Sequence, residues 1–101
     1  MSDPKKAIFI TGADSGMGRA TALRFAAGGW FVGAADVDTA GLATLVAELG
    51  ADNCLALKLD VTDRDAYRTV LDQFADASGG RLDLLFNNAG VGGGGLSARV
   101  I

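Results

Sequence analysis

The chain has 101 residues, half of them hydrophobic, and a mean hydropathy of +0.29. A chain of this length and composition predicts one packed globular unit rather than two domains or a disordered tail. Nine Lys and Arg against twelve Asp and Glu give a net charge of −3 without a basic cluster, so neither nucleic acid nor an anionic membrane is an expected partner. No apolar stretch approaches the roughly 18 residues of a membrane-spanning helix.

Residue types that are rare or absent exclude several kinds of site. Histidine is absent and Cys54 is the only cysteine, which excludes a histidine-based triad, a histidine metal cluster, a thiolate cage and an internal disulfide. No metal site is therefore expected. The opening residues MSDPKK are followed by an apolar run too short for a secretory signal, so we expect a cytoplasmic protein.

Strands and helices are predicted to alternate along most of the chain. Continuous apolar runs predict buried strands over residues 7–11, 30–35 and 81–87, and alternating leucines over residues 54–59 predict a strand near a sheet edge. Apolar residues at helical spacing predict three intervening helices. The first covers residues 16–29, the second is capped by Asp38 or Thr39 and ends at Gly50, and the third opens with a capping box of Thr62 and Asp65 and ends at Gly79 and Gly80.

This alternation predicts an α/β fold with a parallel sheet, because parallel neighbours are joined by long right-handed crossovers rather than tight hairpins. The layout is typical of one half of a Rossmann-type doubly wound parallel sheet with strand order 3-2-1-4. In that order the sheet reverses its direction of growth between strands one and four, which opens a crevice at their carboxyl ends. A ligand is expected in this crevice.

The sequence TGADSGMG at residues 11–18 lies where strand one is followed by a helix. A phosphate group needs unobstructed main-chain N–H groups at a helix start. Gly12 permits a tight turn, Gly16 lets the main chain approach a diphosphate, and Gly18 lets the helix lie against the strand. The loop has no lysine of the P-loop type, which argues against Mg-nucleotide hydrolysis. On its own, the three-glycine pattern is equally compatible with a merely tight turn.

An acidic residue follows the glycine pattern at the end of strand two. The Asp36 carboxylate can accept hydrogen bonds from the hydroxyls of an adenosine ribose, although a turn aspartate or helix cap is the alternative. A 2′-phosphate about 4 Å away would meet repulsion on the order of 4 kcal/mol per charge pair at an effective dielectric constant of about 20. Asp38 adds a second negative charge, and no Lys or Arg lies at residues 13–15 or directly after Asp36. NAD is therefore the expected cofactor, in preference to NADP.

Four ordered segments resemble the short-chain dehydrogenase/reductase family: the glycine pattern, Asp36, LDVTD at residues 59–63 and NNAG at residues 87–90. The resemblance implies the cofactor-binding, amino-terminal half of an NAD-dependent oxidoreductase that exchanges hydride between nicotinamide and a carbonyl or secondary alcohol. It implies a homo-oligomer for the complete protein. Residues 1–91 are then a dinucleotide-binding half-domain, and residues 92–101 are a glycine-rich tail without assignment.

The resemblance also assigns roles to individual residues. Asp60 would contact the adenine amino group, and Val61 would contact the adenine ring through its backbone. The adenosine and nicotinamide riboses would be bordered by Asn88, Ala89 and Gly90. The Thr11 hydroxyl would tie strand one to the loop after strand four. The complete set of candidate cofactor-binding residues is Gly12, Ser15, Gly16, Met17, Gly18, Asp36, Val37, Asp60, Val61, Asn88, Ala89 and Gly90.

The family's catalytic residues have no counterpart in this sequence. That chemistry uses a tyrosine that protonates the substrate oxygen, a lysine four residues later, and a serine that orients the carbonyl. The only tyrosine, Tyr67, is followed at the fourth position by Leu71. We therefore expect no catalytic residue and no activity from this chain alone. Two other interpretations stay open: a non-catalytic dinucleotide-binding or redox-sensing module, and an inert truncation product.

Structural roles are the alternative for several of these residues. Thr62 and Asp63 can simply open a helix, and the NNAG asparagines can simply close a turn. Cys54, Trp30 and Tyr67 are expected in the core or covering the sheet. If the sheet ends at strand four, residues 82–86 form an exposed apolar edge and the third helix alone covers one sheet face. Marginal stability is then expected.

Overall fold

The computed structural model describes residues 5–88 together with the backbone of residues 97–100. The described elements are β1 (Ala7–Thr11), α1 (Gly16–Ala27), β2 (Phe31–Asp36), α2 (Thr39–Leu49), a 3₁₀ turn (Ala51–Asn53), β3 (Cys54–Lys58), α3 (Arg64–Ala77), β4 (Leu84–Asn87) and β5 (Ser97–Val100). The first seven strands and helices follow the predicted order. Within these residues, no helix combines the length and the apolar character that crossing a membrane requires.

The strands form one sheet with the order β3-β2-β1-β4-β5. β1 pairs in parallel with β2 on one side and with β4 on the other, so that Ile10 lies opposite Ala34 and Phe86. β3 pairs in parallel with β2 and lies at one edge of the sheet, as its sequence pattern predicted. The predicted Rossmann-type order 3-2-1-4 is confirmed. The carboxyl ends of β1 and β4 therefore meet at the reversal point, where ligands bind in open α/β sheets.

The prediction that strand four is an exposed edge is wrong. β5 pairs with β4 in antiparallel register, from Leu84 opposite Val100 to Asn87 opposite Ser97. A free strand edge presents unpaired N–H and C=O groups, and a segment that returns antiparallel can satisfy them without a helical crossover. No element was expected over residues 92–101, because a four-residue strand is too short for its periodicity to stand out from chance.

Alternate residues of β1 contribute to two hydrophobic layers on opposite faces of the sheet. Ile8 and Ile10 pack in the layer formed with α1 and α2, in which Leu45 is fully buried. Phe9 packs in the other layer with Phe74 of α3. Among the helices of the described chain, only α3 contributes to this second layer, as the sequence predicted.

A glycine in β2 allows the second layer to pack closely. A Cβ placed at Gly33 would lie 2.5 Å from Cδ1 of Phe74 and 2.8 Å from Cδ1 of Phe9. The rings of Phe9 and Phe74 are 5.4 Å apart, and Phe31 stacks on Phe74 at 5.6 Å. This aromatic cluster holds α3 against the centre of the sheet.

The start of α3 differs from the prediction. Asp63 is the N-cap, and its carboxylate accepts a hydrogen bond from the N–H of Ala66 at 3.0 Å. The capping box predicted for Thr62 and Asp65 is therefore wrong. The physical reason is that α3 begins at Arg64, so the N-cap position falls on Asp63, one residue after Thr62, and the Thr62 hydroxyl donates instead to the Asp60 carboxylate at 2.6 Å.

Other boundaries agree with the sequence to within a few residues. Asp38 caps α2 and Gly50 follows its last residue, as predicted. The predicted strand four begins at residue 81, whereas β4 begins three residues later. Just before β4, the Asp83 carboxylate accepts the N–H of Ala7 at 2.8 Å, so a side chain replaces a main-chain acceptor of the ladder.

Residues that were expected to be structural do pack against the core or the sheet. Cys54 is buried, and burial raises the pKa of its thiol. Trp30 packs edge-on against Phe25, with ring centroids 4.9 Å apart. Tyr67 is partly buried beside Phe9, and burial raises the pKa of its phenol. Their structural interpretation is confirmed.

Candidate functional site

The connection between β1 and α1 is the tight turn that the glycine pattern predicted. Gly12 has a φ of +65°, a left-handed conformation that favours glycine. Its carbonyl accepts hydrogen bonds from the Ser15 N–H at 3.1 Å and from the Ser15 hydroxyl at 2.7 Å. The loop thus folds back on itself and leads directly into α1 at Gly16.

The amino terminus of α1 differs from those of the other two helices in the described chain. Asp38 and Asp63 cap α2 and α3 with their carboxylates, whereas Ser15 makes no side-chain cap hydrogen bond to α1. The first turn of α1 contains no acidic residue. A Cβ placed at Gly16 would meet no atom within 4 Å, so this turn opens onto free space. An uncapped helix start with this access is suited to bind an anion such as a phosphate.

Gly18 brings α1 into close contact with the loop. A Cβ placed there would lie 2.2 Å from the carbonyl oxygen of Gly12 and 2.9 Å from Nδ2 of Asn88. The first neighbour is backbone and cannot swing aside. Gly18 therefore permits the predicted close approach, which is made to the loop carbonyl at the end of β1.

Two asparagines at the end of β4 tie this region together. The Thr11 hydroxyl donates to Oδ1 of Asn87 at 2.8 Å, so it ties β1 to the last residue of β4, whereas the resemblance implied a tie to the loop that follows. Nδ2 of Asn88 donates to the Gly12 carbonyl at 3.2 Å and to Oγ of Ser15 at 2.6 Å. The sequence placed Asn88 beside a ribose and did not foresee that its amide holds the glycine loop.

Asp36 lies at the end of β2 with both carboxylate oxygens anchored. Oδ2 accepts the N–H of Asp14 and Oδ1 accepts the N–H of Asp38, each at 3.0 Å. Each carboxylate oxygen has a further lone pair. The carboxylate is thus held in place by main-chain donors and can still accept hydrogen bonds from neighbouring hydroxyls.

A cavity of about 130 Å³ lies beside Asp36. It is lined by Gly12, Asp36, Val37, Leu59, Asp60 and Val61. Five of the twelve candidate residues thus come together from three separate segments of the chain. Leu59 is the wall residue that the candidate set omits, and its position directly before Asp60 in the LDVTD segment was the available signal.

Asp60 is held as an anionic acceptor at the cavity wall. Its Oδ1 accepts hydrogen bonds from the Thr62 hydroxyl at 2.6 Å and from the Thr62 N–H at 3.0 Å. These bonds lower the pKa of the Asp60 carboxyl below its usual value. An ionised carboxylate only accepts hydrogen bonds, so a ligand group here must be a donor, such as an amino group.

Two candidate residues are exposed apolar side chains. Met17 is 54% exposed in the first turn of α1, and Val37 is 60% exposed beside the cavity. They are the exposed large hydrophobic residues of the described part of the chain. Single exposed hydrophobics are common, and of these two only Val37 lines the cavity.

Three residues considered in the sequence analysis do not contribute to the cavity in the described part of the chain. Ala89 and Gly90 of the candidate set fall outside the described residues. Tyr67 does not line the cavity beside Asp36; it lines a separate groove along α3 with Leu71 and Arg68. In the portion of the chain that the structure describes, no group of three or more Cys, Asp or Glu is arranged to hold a metal ion.

Comparison with known proteins identifies the family. Residues 6–100 match the sequence profile described as short chain dehydrogenase. The chain belongs to the short-chain dehydrogenase family. It is 40% identical to the meso-2,3-butanediol dehydrogenase of Serratia marcescens over 86 residues. The matched region is 85% of this chain and 34% of that relative. Another relative is the 3-oxoacyl-[acyl-carrier-protein] reductase of Thermotoga maritima, at 41% identity over 88 residues. The chain spans 34% of the length of the butanediol dehydrogenase and 35% of the length of this reductase.

Solved structures of the family share the fold. The short-chain dehydrogenase/reductase of Burkholderia phymatum, determined in complex with NAD, superposes with a TM-score of 0.80 at 40% identity, over 94% of this chain and 34% of that one. The 3-ketoacyl-(acyl-carrier-protein) reductase of Brucella melitensis, complexed with NADH, superposes with a TM-score of 0.80 at 36% identity, over 89% of this chain and 37% of that one.

Proposed function

We propose that this chain is the NAD-binding portion of an oxidoreductase that transfers hydride between nicotinamide and a carbonyl or secondary alcohol. The observation that carries the proposal is the uncapped start of α1 next to the cavity that contains Asp36. An anion site beside a hydroxyl acceptor suits a diphosphate joined to a ribose. The chemistry is supported by the relatives, which include a butanediol dehydrogenase and a ketoacyl reductase.

The adenosine diphosphate half of the cofactor is assigned to residues around the glycine loop and the cavity. The main-chain N–H groups near Gly16 and Met17 bind the diphosphate. Asp36 accepts the ribose hydroxyls through its remaining lone pairs. The adenine occupies the cavity, where Asp60 accepts a hydrogen bond from the amino group and Val61 contacts the ring.

The nicotinamide half is assigned to the loop after β4. By similarity to the family, Asn88, Ala89 and Gly90 border the riboses on this side. When bound, the nicotinamide supplies or accepts the hydride, and the protein contributes binding and orientation. Tyr67 cannot act as the family's catalytic tyrosine, because Leu71 stands where a lysine is needed and the phenol packs beside Phe9. We expect this chain alone to bind NAD without catalysing hydride transfer.

Electrostatics favour NAD over NADP. A ribose bound through Asp36 would place a 2′-phosphate about 4 Å from the carboxylate, where repulsion is on the order of 4 kcal/mol at an effective dielectric constant of about 20. Asp36 is partly exposed, and solvent screening reduces this figure. Even a third of it corresponds to about a tenfold preference, since about 1.4 kcal/mol is one factor of ten.

Calorimetric titration of the chain with NAD and NADP tests the proposal. We expect saturable NAD binding and at least about tenfold weaker NADP binding. The Asp36→Arg variant should reverse the preference, because it replaces repulsion with attraction toward the 2′-phosphate. Asp52→Arg is the matched control, since it makes the same charge change in the 3₁₀ turn before β3, at the opposite end of the sheet. The proposal would be contradicted if the folded chain binds no NAD. It would also be contradicted if the Asp36→Arg variant keeps the wild-type preference for NAD over NADP.

A non-catalytic dinucleotide-binding or redox-sensing module is the second candidate. It is favoured by the placement of Tyr67, which is partly buried beside Phe9 and does not line the cavity that contains Asp36. Both candidates predict NAD binding by this chain. They differ in whether the complete protein reduces NAD in the presence of secondary alcohols, which absorbance at the wavelength of NADH measures directly.

A further inference from the structure

A contact between the glycine loop and the first turn of α2 has no role in the proposed binding mode. The Asp14 carboxylate occupies the space in front of Gly41: a Cβ placed at Gly41 would lie 2.1 Å from Cγ of Asp14 and 2.2 Å from both of its oxygens. Every other residue type at position 41 would displace this carboxylate. Because Gly41 has no side chain, α2 leaves room for the Asp14 carboxylate at this position.

Asp14 is held at this position from several sides. Its carboxylate lies 3.5 Å from a guanidinium nitrogen of Arg19, and the same guanidinium bonds to Glu48 of α2. Its main-chain N–H donates to Asp36. One residue thus joins the glycine loop, α1 and α2 directly beside the carboxylate to which we assign the ribose.

Two carboxylates consequently occupy the amino terminus of α2. Asp38 caps the helix through the Gly41 N–H at 3.1 Å, and Asp14 lies against the same residue. The adjacent Asp38 carboxyl raises the pKa of Asp14, as expected for two acids held side by side, and the Arg19 guanidinium opposes this shift. A helix amino terminus attracts anions. Asp36 accepts the main-chain N–H groups of both Asp14 and Asp38, so a 2′-phosphate on a ribose bound by Asp36 would face these two acids as well.

We propose that Asp14 is a second specificity-determining residue, whose carboxylate, admitted by Gly41, occupies the amino terminus of α2 and excludes a 2′-phosphate from it. The inference rests on the proposed function, because it concerns the same adenosine ribose. It differs from the role of Asp36, since Asp14 acts on the phosphate alone and contributes its main-chain N–H, not its side chain, to the position of Asp36. Removing the charge at Asp14 should therefore change the discrimination between the two dinucleotides.

The test is the ratio of the Kd for NADP to the Kd for NAD, measured by calorimetry at fixed ionic strength. Asp14→Asn keeps the shape and the main-chain donor but removes the charge, and we expect the ratio to fall about threefold to tenfold. Asp52→Asn makes the same change in net charge at the far end of the sheet and should leave the ratio within about twofold, because the separation exceeds a Debye length of about 8 Å.

A second variant moves the Asp14 carboxylate without changing Asp14 itself. Gly41→Ala forces the Asp14 side chain away from α2 and should also lower the ratio. In the Asp14→Asn background, Gly41→Ala should lower it no further, because the charge is already gone. A ratio unchanged by Asp14→Asn, or equal weakening of both dinucleotides, would overturn the inference and leave a packing role. A wild-type chain that binds neither dinucleotide would instead overturn the proposed function.

Discussion

The glycine loop is expected both to allow close packing of α1 and to bind the diphosphate. Adding a methyl group to Gly18 or to Gly16 should separate these two roles. At Gly18 a Cβ would lie 2.2 Å from the Gly12 carbonyl oxygen, and neither backbone segment can move without disturbing β1 or α1. Overpacking of this kind costs about 1–3 kcal/mol. Loss of the Asn88 hydrogen bond to Gly12 adds about 1 kcal/mol, and the better helix propensity of alanine returns up to about 1 kcal/mol.

We therefore expect Gly18→Ala to lower the free energy of unfolding by about 1–3 kcal/mol. For a domain of this size, that is a decrease in Tm of roughly 5–20 °C. Gly16→Ala should leave the stability unchanged or slightly raised, because its Cβ meets no atom within 4 Å. It should nevertheless weaken NAD binding by at least about tenfold, since the methyl group blocks the main-chain approach of the diphosphate.

Urea denaturation followed by circular dichroism measures the first effect, and calorimetric titration of the folded variants measures the second. The two variants carry the same chemical change two residues apart, so each is the control for the other. The reasoning is refuted if Gly18→Ala unfolds at the wild-type urea concentration. It is also refuted if Gly16→Ala binds NAD with wild-type affinity.

Three further predictions concern stability. Gly33→Ala should cost about 1–3 kcal/mol in urea unfolding because its methyl group would overlap the Phe74 ring, and Phe74→Leu in that background should recover part of the loss. Thr11→Val should cost about 1–3 kcal/mol, since it removes the buried hydroxyl that donates to Asn87. Asp83→Asn should lower the Tm at pH 7. Hydrogen bonding to Arg81 lowers the pKa of Asp83, so this contribution is present above about pH 4 and is lost as the pH falls through the lowered value.

Each of these predictions has a clear contradictory result. If the loss of stability in the double variant Gly33→Ala, Phe74→Leu equals the sum of the two single losses, the two residues do not compete for space. Wild-type stability in Thr11→Val would mean that the tie between β1 and β4 adds nothing. A difference in Tm between wild type and Asp83→Asn that persists unchanged from pH 7 to pH 2 would exclude the carboxylate charge as its source.

The sequence by itself determined those features that depend on neighbouring residues. The apolar runs and helical spacing define the order of strands and helices, and the crossovers that this order requires lead to the parallel order 3-2-1-4. The turn at Gly12 and the position of Asp36 at the end of β2 follow from local backbone and strand-end chemistry. Much of the candidate site could be predicted for this reason. Asp36 ends a strand, and Gly12, Val37 and residues 60–61 follow strand ends at the same side of the parallel sheet.

Only the tertiary structure decided which distant side chains meet. β5 pairs with β4, Asn88 holds a loop more than 70 positions away in the sequence, and the Asp14 carboxylate fills the space left by Gly41. None of these contacts has a period or a spacing along the chain, because each is set by the distance between elements after they pack on the sheet.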